Sequence, residues 1–277
     1  MAIQVNGTSV ITNGRGLVNV TAIDASTKGA IEAAGVGGGA TAAPNWNPAA
    51  TPDTTLTGNG TYSISGVADN VWVVFYMVGG GCGGHRSYGS ILSMAGAAYV
   101  WTSLSQDVPS SISYSVGAGG AGNSNHSINP GADTTMTASG ITVRAKGGVE
   151  ASNVRNEGAN VLLSDFPSLS SPFNTAAIPT KGLGTDFDIS GGSGANPSTN
   201  GSGSSGSVLG AGGGATGFFT STPGGTSTYA GNGGQGSRTG TTTAGTVPGG
   251  AGGSSYAGSG QIGKNGAAGN IRIYILD

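Results

Sequence analysis

The stretch Val71-Trp72-Val73-Val74-Phe75-Tyr76-Met77-Val78 runs directly into Gly79-Gly80-Gly81-Cys82-Gly83-Gly84. Eight apolar residues, rich in β-branched and aromatic side chains, give way at once to backbone that is nearly bare. The run is far short of the roughly 20 residues that a membrane-spanning helix needs. A half-buried strand would alternate with polar residues, so this one reads as a strand covered on both faces. It is the spine of the main domain, and the glycines that follow it are structural.

Composition explains why so much rests on one strand. The chain has 277 residues, of which 57 are glycine and only 8% are charged. Glycine stands well above its usual share of about 7%. Such a chain loses much backbone entropy on folding and has few large side chains to offset the loss. Its middle and end are therefore either disordered or ordered by something other than side-chain burial. A net charge of -2 and the absence of basic clusters argue against a nucleic-acid partner. A lone cysteine, Cys82, excludes an internal disulfide framework and disfavours a cysteine-based metal site. No cofactor is expected. The segment Met1-Ala2-Ile3-Gln4-Val5-Asn6 lacks the basic and apolar regions of a signal peptide, so the reading is a product of a cytosol.

Outward from the spine, Ala2 to Val20 reads as two short strands. Ile3, Val5, Val10 and Ile11 supply their apolar positions, and Asn13-Gly14 turns the chain toward Leu17, Val18 and Val20. Strands this small need a partner. Asp24 or Ser26 caps a short helix over Lys28 to Ala34, stopped by Gly35. The expected organisation is an N-terminal segment over 1–36, a linker over 37–59 and a main domain over 60–277. Trp46 is the linker's one residue suited to docking. Further strands are expected over Thr61 to Ile64, Ala97 to Trp101, Ile112 to Val116, Ile141 to Ala145 and Asn270 to Asp277. A terminal strand this regular belongs in a sheet. Four more glycine clusters lie between them, at Gly117 to Gly122, Gly210 to Gly214, Gly231 to Gly236 and Gly249 to Gly253. None keeps the period of collagen.

Several patterns resemble chemistry and have plainer readings. Gly117, Gly119 and Gly122, and again Gly231, Gly233 and Gly236, fit G-x-G-x-x-G, but no helical pattern follows to receive a pyrophosphate. Cys82 and His85 are close enough in sequence for a nucleophile and its base, yet cysteine commonly behaves as a small buried hydrophobe. Asp186 and Asp188 would share a strand face, while Glu150, Glu157 and Asp165 are scattered. Glycoside hydrolysis needs two carboxylates facing one sugar, and solvated loop carboxylates are the plainer account. Phe166, Phe173, Phe187, Phe218, Phe219 and Tyr229 sit in polar segments. They are either contact residues on loops or plugs at loop bases.

Taken together, the strand leading into a glycine run, the hairpin Tyr99-Val100-Trp101 with Ile112-Ser113-Tyr114-Ser115-Val116-Gly117-Ala118-Gly119-Gly120, the repeated glycine clusters and the closing strand resemble the glycine-rich domains of bacteriophage tail-fibre proteins and adhesins. The start, with Val5-Asn6-Gly7-Thr8-Ser9-Val10-Ile11, Leu17-Val18-Asn19-Val20 and Ala30-Ile31-Glu32-Ala33-Ala34-Gly35, is similar to their N-terminal segments. The resemblance implies an all-β fold: a β sandwich merged with extended polyglycine helices that pack by backbone hydrogen bonding. It implies a non-enzymatic virion protein, a homotrimer held to other tail or baseplate proteins through Ile3, Val5, Val10, Ile11, Leu17, Val18 and Val20. Phe218, Phe219, Phe173, Phe187 and Tyr229 would then contact a bacterial surface receptor, a glycan or an outer-membrane protein. The competing readings are a purely structural tail component, a polysaccharide depolymerase and a glycine-rich cell-wall protein.

Overall fold

The structure is a computed structural model. It describes residues 3–5, 8–11, 46–69, 71–87, 91–105, 108–125, 127, 129–138, 141–152, 191, 202–203, 205, 209–217, 220–238, 240–256 and 262–276. The chain divides into two compact units, Met1–Ala42 and Ala43–Asp277.

In the first unit, β1 (Ile3–Val5) and β2 (Thr8–Ile11) pair antiparallel, with Val5 opposite Thr8 and Gln4 opposite Ser9. Four residues of the expected attachment set, Ile3, Val5, Val10 and Ile11, thus share one hairpin. Leu17, Val18, Val20 and the helix expected over Lys28 to Ala34 lie outside the described residues.

The second unit begins with β3 (Thr54–Leu56), β4 (Asn59–Tyr62), β5 (Trp72–Val78), β6 (Arg86–Ser87), β7 (Ile91–Ser93) and β8 (Ala98–Leu104). It continues with β9 (Ile112–Ser115), β10 (Thr134–Ala138), β11 (Ile141–Ala145), β12 (Glu150–Ser152), β13 (Thr216–Gly217), β14 (Ser254–Tyr256) and β15 (Asn270–Leu276). No helix occurs among the described residues of this unit. Two four-stranded antiparallel sheets dominate, in the orders β3-β15-β5-β8 and β11-β10-β9-β4.

The spine strand β5 sits inside the first of these sheets, and all seven of its residues are buried. The C-terminal strand pairs along its whole length, Phe75 opposite Ile273 and Trp72 opposite Leu276. On its other side Phe75 lies opposite Trp101 of β8, and the two rings stack with centroids 4.5 Å apart. Because side chains alternate, Val73, Phe75 and Met77 face one way and join Trp101, Ile271 and Ile273. Ile112, Met136 and Val143 of the second sheet complete that core. Val74, Tyr76 and Val78 face the opposite way, toward Trp46, Leu209, Ala211 and Ala251. One face of the spine is covered by another sheet, and the other by the chain entry and the glycine-rich segments. Each fully buried large side chain contributes about 1.5–3 kcal/mol.

The glycine segments order through their backbones. Along Gly79–Gly84, Gly79 and Cys82 donate to the carbonyls of Ala97 and Met94. Gly80 and Gly83 donate to Ala132 and Asn129, and Gly81 and Gly84 to Ala267 and Lys264. Each direction recurs after three residues while its partner steps back by three. Three antiparallel neighbours therefore receive the amides of one segment. The carbonyls turn to other neighbours: Gly81 and Gly84 accept from Gly120 and Asn123, and Cys82 and His85 accept from Gly252 and Ser255. Backbone polar groups that would be costly to bury are satisfied without a strand on either side.

Such an arrangement needs bare backbone. A Cβ added at Gly83 would lie 2.0 Å from the carbonyl oxygen of Ala121, and one at Gly84 2.0 Å from that of Gly253. Where no neighbouring segment supplies a carbonyl, side-chain oxygens take its place. Thr246 Oγ1 accepts from Asn232 N at 2.6 Å, Thr243 Oγ1 from Gln235 N at 2.8 Å, and Asn265 Oδ1 from Gly122 N at 2.8 Å. Thr134 joins lattice to sheet, accepting from Gly117 N at 2.9 Å and donating to Val78 O at 2.7 Å.

Candidate functional site

Three glycine segments leave the lattice in the same direction. β14 pairs parallel with both β6 and β13, Ser255 opposite Arg86 and Thr216 opposite Ser254. Parallel pairing puts the C-terminal ends of all three at one end of the unit. A fourth segment joins them through the parallel bridge between Ser237 and Ser255. Several of the described residues at this end are polar. Ser221 Oγ lies 3.1 Å from Ser237 Oγ, Gly240 N donates to Ser237 Oγ at 2.7 Å, and Arg86 N donates to Asn125 O at 3.1 Å. Arg86 and Arg238 add positive charge there. Sequence reading did not single out Ser221, Ser237, Arg86 or Arg238. Their one signal was position, just after or beside a glycine run.

Phe218 and Phe219 stand in sequence between Gly217, the end of β13, and Thr220. They lie outside the described residues, as do Phe166, Phe173, Phe187, Asp186, Asp188, Glu157 and Asp165. Tyr229 is half-buried and packs against the core cluster that holds Trp46 and Tyr76. Its carbonyl accepts from the Arg272 guanidinium at 2.8 Å, and that guanidinium lies 5.6 Å from the centroid of the Tyr76 ring. For this ring the structure gives the loop-base position.

Beneath the end of the lattice is a chain of buried polar groups. Ser93 Oγ donates to Gly83 O at 3.2 Å and lies 3.1 Å from Ser254 Oγ. Ser254 Oγ in turn lies 3.1 Å from Nδ1 of His85. A hydroxyl beside an imidazole suits nucleophilic chemistry only where substrate reaches it. His85 and Ser254 are buried, at 0% and 1% exposure, so in the folded domain their hydrogen bonds tie three segments together. The Cys82 thiol donates to Val149 O at 3.3 Å and is likewise buried. The amides of the two G-x-G-x-x-G stretches are engaged in the lattice, Gly120 to Gly81 O and Gly233 to Gly225 O. Among the described residues no His, Cys, Asp and Glu side chains gather into a group able to hold a metal. No helix there is long and apolar enough to cross a membrane.

This end of the lattice places Ser221, Arg86 and Arg238 beside the buried Ser237, above the buried hydrogen bonds of Ser93, Ser254 and His85. No curated protein matches the sequence. A family described as a glycine-rich domain matches residues 54–276, from β3 to the end of β15. By that match, the chain belongs to the glycine-rich domain family.

Proposed function

We propose that the protein is a bacteriophage tail-fibre component that binds a bacterial surface receptor without catalysing a reaction. The observation that carries this reading is the gathering of β6, β13 and β14 at one end of a backbone-bonded lattice. On this reading the residues that follow those strands in sequence, among them Phe218 and Phe219, make the receptor contacts. Below them, the three-residue repeat of hydrogen-bond direction supports packed polyglycine helices, since an extended three-fold helix has no internal hydrogen bonds. The shared core of the two sheets supports a β sandwich continuous with those helices. The β1–β2 hairpin suits attachment to a tail or baseplate protein and assembly into a homotrimer on a virion.

Retention of the purified full chain on bacterial cells tests the reading, with Phe218→Ala/Phe219→Ala as the variant. Loss of retention on cells that hold the unaltered protein is expected. Unchanged retention would move recognition away from these rings, and no retention on any susceptible cell would favour a purely structural tail component. Release of reducing sugar from envelope material would contradict the non-enzymatic part.

A further inference from the structure

The second sheet has one face in the core and one toward solvent, and the solvent face is unusually uniform. Register aligns it into two rows across all four strands. Thr61, Ser113, Thr137 and Thr142 form one row, and Asn59, Ser115, Thr135 and Arg144 form the next. Six of these eight positions carry a hydroxyl. Three of the hydroxyls are oriented by cross-strand neighbours: Thr137 Oγ1 lies 2.8 Å from Thr142 Oγ1, and Ser115 Oγ donates to Asn59 Oδ1 at 2.9 Å. Neighbouring strands stand about 4.8 Å apart, and same-face residues on one strand about 6.7 Å apart. The result is a grid of donors and acceptors on a surface whose strands hold it in place.

We propose that this face is a second binding surface, separate from the loops at the lattice end, and that its ligand is a neutral polysaccharide chain. The chemistry excludes other classes. A protein partner would look for aromatic or aliphatic anchors, and none of the eight positions supplies one. Among the eight positions the one formal charge is Arg144, whose guanidinium is matched by Asp133 at 3.5 Å, so an anionic polymer meets no unmatched cation in these two rows. A neutral polyol presents hydroxyls that both donate and accept, as the grid does. Serine and threonine have few rotamers to lose, so ordering them on binding costs little. Many shallow contacts repeated along a polymer give useful affinity where one alone is weak.

Native gels cast with dextran, mannan or galactan test the proposal, with polygalacturonate as the anionic comparison. The full chain should be retarded by at least one neutral polymer and not by polygalacturonate. Ser113→Ala/Thr137→Val removes two hydroxyls from one row and keeps strand-compatible side chains; its retardation should fall at least tenfold in apparent affinity. The thermal midpoint of the variant verifies its fold, and Thr61→Ala provides a second, milder substitution in the same row. Phe218→Ala/Phe219→Ala should be retarded like the unaltered protein, which separates this surface from the proposed receptor loops. No retardation by any neutral polymer overturns the proposal. So does retardation that survives the Ser113 and Thr137 substitutions, or retardation abolished by those at Phe218 and Phe219.

Discussion

The indole of Trp46 meets the ring of Tyr274 edge-on, with centroids 5.6 Å apart, and meets Tyr76 in the same manner at 5.7 Å. A residue at the entry to the second unit thus closes over its last strand. The hydroxyl of Tyr274 completes the clasp by donating to Pro48 O at 3.2 Å. Trp46→Ala in the full chain is expected to cost about 3–5 kcal/mol. Chemical denaturation checks this: a midpoint shift below that expected from 1 kcal/mol would mean that the site collapses around the loss.

Glycines in the lattice and glycines in turns should respond differently to alanine. At Gly83 the new Cβ would lie 2.0 Å from a backbone carbonyl, which no side-chain movement relieves. Gly83→Ala is expected to cost more than about 4 kcal/mol or to abolish folding. At Gly66 the space is open and φ is +75°, so Gly66→Ala meets only the left-handed backbone penalty of about 1–2 kcal/mol. Equal thermal midpoints for the two variants would contradict a lattice built on close backbone approach.

Thr134 offers a cleaner test of the joint between sheet and lattice. Thr134→Val keeps the shape but leaves Gly117 N and Val78 O without the hydroxyl they share. The expected loss is about 1–3 kcal/mol per unsatisfied group, with the strands otherwise intact. Hydrogen exchange at Gly117 should accelerate in the variant, and unchanged protection would refute the assignment.

Burial raises the ionisation of Tyr76, Tyr99 and Tyr274 above the ordinary value of 10.0, and Arg272 opposes this in part at Tyr76 and Tyr274. In the unfolded chain these phenols release their protons near 10.0, whereas in the folded protein they keep them to higher pH. Above the unfolded value the unfolded state binds fewer protons. Stability is therefore fully present below it and falls as pH rises, by up to about 1.4 kcal/mol per pH unit for each phenol. In an alkaline titration, a large part of the tyrosinate absorbance should appear together with loss of the β-sheet circular dichroism. Complete ionisation of all tyrosines before any loss of structure would disprove this.

Much of the sheet framework was legible because its strands carry branched and aromatic side chains. Val71 to Val78, Ile141 to Ala145 and the closing strand at Asn270 declare themselves by composition or alternation. By contrast, Thr134–Ala138 contains a single large apolar residue, Met136, and gave no signal. Thr54–Leu56 fell within the stretch read as a linker, since Leu56 alone cannot define a period. Sequence marked Trp46 as a docking residue but not its partners, because Tyr76 and Tyr274 reach it only through the pairing of β5 with β15. The glycine segments were least legible of all. A residue without a side chain carries no pattern to say which way its amide points, and the three neighbours of Gly79–Gly84 come from three separate parts of the chain, near Met94, Asn129 and Lys264. The polar end built on Ser221, Ser237 and Arg238 was hidden for the same reason.

The return of each hydrogen-bond direction after three residues also sets a rule for how such a protein can change its size. Adding or deleting residues singly would rotate every later amide away from its acceptor. Adding or deleting them in threes, in segments that lie side by side, would leave every partner facing as before. Length then becomes a quantity that inheritance can adjust in discrete steps, while the sequences that cap the segments diverge on their own.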